Sequence, residues 1–133
     1  MRKYRLAASA AVLVLVAGID PARLLAAAAD YRFELAGPPI KSGEKTLVNV
    51  RLLHVPDSRP VAGAIVIRTR FDMSPDGMAT MTAPAQASTG SEPGLYRIEA
   101  QPSAAGHWAL ILAAKVPGEP ETVRGTVTVA IAK

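Results

Sequence analysis

The chain has 133 residues, a formal net charge of +4 and no cysteine. That length allows one domain with at most a tail, and the missing thiols exclude disulfides, thiolate metal sites and thiol catalysis. The charge is no argument for nucleic acid: Arg2, Lys3, Arg5 and Arg23 stand against Asp20 alone in the first 29 residues, which leaves 11 positive and 10 negative residues, a net of +1, in the rest, with no Lys/Arg cluster along the sequence and no aromatic stacking run.

Residues 1–29 have the layout of a secretory signal peptide. Arg2, Lys3 and Arg5 form a positive start, and Leu6 to Ile19 is an uncharged apolar run of 14 residues. Asp20, Pro21 and Arg23 follow, and Ala27 and Ala29 suit the small-residue positions before a cleavage site after Ala29. The rival is an uncleaved anchor. The apolar run falls short of the roughly 18–20 residues that span a bilayer, so the expectation is an exported, periplasmic protein whose leader engages the membrane only during export. Residues 30–133 then form the single domain, which must hold itself together through a hydrophobic core.

Tyr31, Phe33 and Leu35 alternate with Arg32 and Glu34, the period of a half-buried strand over Asp30 to Ala36. Gly37-Pro38-Pro39 ends it. Lys45 to Leu53 is a second strand, and the breakers from His54 to Pro60 form a loop. Val61 to Phe71 is a third strand with Ile65, Val66 and Ile67 at its centre. Ser74-Pro75-Asp76-Gly77 is turn chemistry, leading into a short strand over Met78 to Thr82. Ala83 to Gly94 is a polar, small-residue connection without structure of its own. Leu95 to Ala100 alternates again. His107 to Val116 is the most apolar strand, expected at the centre with Trp108, Leu110 and Leu112 on one face. Val123 to Ile131 closes the chain with Val123, Val127 and Val129 inward. No segment from Asp30 onward reads as a helix. About seven short strands with Gly/Pro turns between them argue an all-β, immunoglobulin-like antiparallel sandwich.

Enzyme chemistry finds no support. Only His54 and His107 are available as imidazoles; no nucleophile–base set and no phosphate loop stands out. Asp72, Asp76, Glu92 and Glu99 read as solvated surface charge. The distinctive feature is the hairpin Phe71 to Met81, which holds Met73, Met78 and Met81, all the methionines beyond the first residue. Thioether sulfur is a soft donor that selects Cu(I), although methionine also fills apolar gaps. A four-residue loop Ser74–Gly77 would pair Met73 with Met78. A three-residue loop Pro75–Gly77 would set Met73 opposite Ala79 and diagonal to Met81. His107, turned away from the core by Trp108, is the candidate nitrogen donor, while His54 ends a strand and reads as a surface residue.

Phe71-Asp72-Met73 with Gly77-Met78 and Met81, then Pro93-Gly94-Leu95-Tyr96-Arg97, then Gly106-His107-Trp108-Ala109-Leu110 resembles the YtkA-like family, which includes FixH-like proteins. Val116 to Gly125 is similar to a subgroup associated with heavy-metal efflux. The resemblance implies a small extracytoplasmic sandwich linked to copper or other heavy-metal transport, or to copper-oxidase assembly. It carries Met73, Met78 and Met81 as the Met-rich segment and Trp108 as the core tryptophan; it does not clearly carry His107. The reading is therefore a non-enzymatic metal-binding accessory protein, with Cu(I) on Met73, Met78, Met81 and His107 and an envelope metal transporter or oxidase-assembly protein as partner. The alternative is a metal-free interaction module of an envelope complex.

Overall fold

A computed structural model describes residues 29–88 and 92–133; the expected signal peptide lies outside the described residues apart from Ala29. Among the described residues ten strands run in chain order: β1 Tyr31–Ala36, β2 Ile40–Lys41, β3 Thr46–His54, β4 Arg59–Pro60, β5 Ile65–Met73, β6 Met78–Ala83, β7 Ala85–Ser88, β8 Leu95–Ala100, β9 Gly106–Lys115 and β10 Val123–Ala132. One sheet has the order β1-β3-β8-β7, with the short β4 also pairing to β3. The other has the order β2-β10-β9-β5-β6. All pairings are antiparallel except β2 with β10. The protein is an all-β, immunoglobulin-like sandwich.

Alternation explains which faces meet. Val48, Val50 and Leu52 of β3 and Ile98 and Ala100 of β8 point inward from the first sheet. Trp108, Leu110 and Leu112 of β9 and Val123, Val127, Val129 and Ile131 of β10 meet them from the second. β9 is central in its sheet, paired to β10 on one side and β5 on the other. Phe71 stacks at 4.8 Å on Trp108, whose indole N–H donates to the Ala104 carbonyl at 3.0 Å. Tyr96 ties the loop before β5 to β8: its hydroxyl donates to the Val61 carbonyl at 2.6 Å and accepts from the Ala64 N–H at 3.0 Å.

Three expectations change. The Ala83–Gly94 connection contains β7, whose Ala85 and Ala87 pack against the core while Gln86 and Ser88 face out; alanine and serine carry too little apolar signal to mark a strand, yet pairing to β8 orders them. The third strand begins at Ile65 rather than Val61. Its Ile65 and Ile67 are exposed instead of central, because Ile65 pairs with Lys115 on the outer face of the sheet and Ile67 is an extra residue where the pairing with β9 slips. Finally, Ser74–Asp76 forms one 3-10 turn, with Pro75 inside it and Gly77 in the left-handed conformation that closes it.

Candidate metal centre

The hairpin between β5 and β6 adopts the four-residue-loop register, with Met73 opposite Met78. One step away, Asp72 pairs with Thr82 and Phe71 with Ala83, so Ala79, Thr80 and Met81 are extra residues on β6, a bulge of three. A bulge leaves residues unpaired and bends the strand, and of the candidate donors it holds Met81, while Met78 lies just before it, paired with Met73. Met78 is 43% and Met81 37% exposed, whereas Met73 is 2% exposed and belongs to the hydrophobic core. The Met73 methyl lies under Gly106: a Cβ there would stand 2.6 Å from it.

Two aspartates build the scaffold under the bulge. Asp72, expected at the surface, is 2% exposed. One of its oxygens accepts the Ser74 N–H at 3.0 Å and the other the Arg70 Nε–H at 2.7 Å. The same guanidinium donates to the Ala79 carbonyl at 3.1 Å, which fastens the bulge to β5. Hydrogen bonds from the Ser74 side chain, then from Arg70, hold the Asp72 carboxyl below its ordinary range against the opposing effect of burial. The Asp72-x-Ser74 step is an Asx turn, a signal the sequence did contain.

Asp76 joins the hairpin tip to β9. Its Oδ2 accepts the backbone N–H of His107 at 2.7 Å, and its Oδ1 stands 3.1 Å from His107 Nδ1. The backbone hydrogen bond is the main reason the Asp76 carboxyl titrates below its ordinary range. An ionised carboxylate only accepts, so Nδ1 must carry the proton. In the neutral ring Nε2 then keeps its lone pair, the arrangement in which a carboxylate orients a metal-binding imidazole. Gly106 makes the approach possible, because a Cβ there would lie 2.6 Å from Asp76 Oδ2, and its φ of +138° suits glycine. The fold thus brings the tip of the methionine hairpin and His107 together. His54 lies in the other sheet, with Nδ1 2.9 Å from Asp57 Oδ1.

Two exposed thioethers on β6 and a carboxylate-oriented imidazole are donors of the type that suits a Cu(I) or Ag(I) ion. Among the described residues no three His, Cys, Asp or Glu side chains gather into a cluster for a harder ion. No helix among them is long and apolar enough to cross a membrane.

Comparison with known proteins gives a family and, among solved structures, distant similarities of fold. A family model described as YtkA-like matches residues 25–113. No curated protein matches the chain. Among solved structures, the Lin-41 filamin domain aligns at 19% identity with a TM-score of 0.43, over 74% of this chain and 90% of that one. The ZirS C-terminal domain aligns at 10% identity with a TM-score of 0.43, over 100% and 86%.

Proposed function

The chain belongs to the YtkA-like family, and from that premise we propose that it is a periplasmic accessory protein that binds a heavy-metal ion, Cu(I), for metal efflux or copper-oxidase assembly. Met78, at the start of β6, and Met81, in its bulge, supply thioether sulfur from the exposed side of the hairpin. His107 supplies Nε2. Met73 is packed beneath the turn and holds the hairpin to the core. Copper is cargo in this reading, received at an open surface and passed to an envelope transporter or oxidase-assembly partner. Half-exposed thioethers suit transfer, because an incoming donor can reach the ion without the domain unfolding.

The observation that carries the reading is the Asp76–His107 contact, which fixes an imidazole at the tip of the hairpin that bears Met78 and Met81. It is tested by titrating the protein with Cu(I) against a competing chelator. The parent should hold one Cu(I), and the variant with Met73, Met78 and Met81 all changed to Leu should hold it at least tenfold more weakly, since Leu keeps the volume of Met without its donor. Equal affinity would overturn the proposal. The metal-free interaction module is favoured by the exposed Ile65 and Ile67 on the open half of β5; a partner complex that survives all three Met→Leu changes without copper would support it.

A further inference from the structure

The sequence has no basic cluster, but the fold builds one. In the five strands of the β2-β10-β9-β5-β6 sheet the one carboxylate is Asp72, which is buried on Arg70; the same strands carry Lys41, Arg68, Arg70, Lys115 and Arg124. Arg68 of β5 and Arg124 of β10 both pair with Ala113 of β9, one from each side. Two strand spacings separate their Cα atoms by roughly 10 Å, within the combined reach of two arginines. Ala113 faces outward between them yet is only 4% exposed. A cavity of about 210 Å³ opens there, lined by Arg68, Arg70, Arg124 and Ile111 among others. Arg70 is committed to Asp72 and the Ala79 carbonyl. Arg68 and Arg124 form no ion pair or side-chain hydrogen bond among the described residues.

A second observation shows how the arginines come to this face. The register of β5 on β9 slips between Val66 and Arg68, which leaves Ile67 as an extra residue. Without that bulge, strict alternation from the inward Val66 would send Arg68 and Arg70 into the core and Phe71 out. The bulge reverses the parity: Phe71 goes in, and both arginines line up with Ala113 and Ile111 on the outer face. Two unneutralised guanidiniums held on either side of a small residue repel one another until an anion lies between them, and the planar fork of each suits a carboxylate.

We propose that Arg68 and Arg124, across Ala113, form an anion-binding notch that receives carboxylate side chains from an acidic segment of a partner polypeptide. The small recess between the two planar guanidinium forks suits the end of an acidic side chain, and the vesicle arm of the test below separates this from a lipid surface. The site is separate from the proposed copper donors and stands or falls without them.

The test is a titration of the isotopically labelled protein, followed by backbone amide NMR, with a hexaglutamate peptide, with inorganic phosphate alone, and with vesicles containing phosphatidylglycerol. The peptide should shift the amides of Arg68, Ala113 and Arg124 in a saturable, salt-sensitive way. The double change Arg68→Gln and Arg124→Gln should weaken it about tenfold or more, whereas Lys41→Gln on the same sheet should leave it unchanged. Arg68→Lys with Arg124→Lys keeps the charge but removes the forks and should still weaken binding severalfold. The proposal is overturned if the peptide leaves those amides unmoved, if either double variant binds as tightly as the parent, or if phosphate or vesicles engage the arginines as well as the peptide does.

Discussion

His107 gives both its backbone N–H and its ring Nδ1–H to the single carboxylate of Asp76, at 2.7 and 3.1 Å. That double contact joins the turn between β5 and β6 to the start of β9, and it sets the ring so that Nε2 faces away from its partner. Replacing Asp76 with Ala should leave the sandwich folded, as judged by circular dichroism, while copper affinity falls about tenfold or more, the usual cost of losing the partner that orients a metal-binding histidine. Unchanged affinity in that variant would remove His107 from the site.

The exposed and buried methionines should separate cleanly by mutation. Met73→Ala opens a cavity beside the core and should cost about 2–5 kcal/mol in urea unfolding. Met78→Ala and Met81→Ala should each change stability by about 0.5 kcal/mol or less, while each lowers Cu(I) affinity.

Asp72 makes the hairpin sensitive to acid. Its folded-state carboxyl titrates below the ordinary value of 3.8, first because of the Ser74 side chain and then because of Arg70. A lowered carboxylate contributes stability that is complete above the unfolded value and is lost as pH falls through the lower folded one. Unfolding free energy should therefore decline once pH drops below about 3.8. Asp72→Asn should flatten that decline and cost about 1–3 kcal/mol at neutral pH, since the amide no longer satisfies both donors as an anion. Parallel acid limbs for parent and variant would contradict this role.

Gly125 sets the spacing between the sheets at one point. A Cβ there would stand 2.5 Å from Phe33 Cδ2 of β1 in the facing sheet. Gly125→Ala should cost about 1–3 kcal/mol through overpacking, and calorimetry should register it as a lower melting temperature.

How much of this was legible in the sequence depended on how far each signal reached. Trp108, Leu110 and Leu112 announce the inner face of β9 because their period of two is unbroken, and Val123, Val127 and Val129 do the same for β10. The Met73–Met78 register followed from one of two loop lengths, and Pro75 with Gly77 fits the one found. The burial of Met73 was not legible, since it depends on Gly106, 33 positions away, leaving room for the methyl. Nor was the bulge at Ile67, which reverses the parity of β5 and turns an apparently central Ile-Val-Ile run into an exposed edge. The Asp76–His107 contact joins residues 31 positions apart; neither spacing nor composition points to such a pair, whereas the local Asp72–Ser74 turn is visible to the eye once hydrogen bonding is asked for.

The most direct test of the copper reading follows the ε-methyl groups of Met73, Met78 and Met81 by NMR as Ag(I), a stable stand-in for Cu(I), is added to the folded protein. The expected result is saturation at one equivalent, with large shifts for the Met78 and Met81 methyls, a shift at His107, and little change at Met73. Uniform small shifts that never saturate, or a response confined to His107, would contradict the claim that the bulge after Gly77 is a soft-metal site.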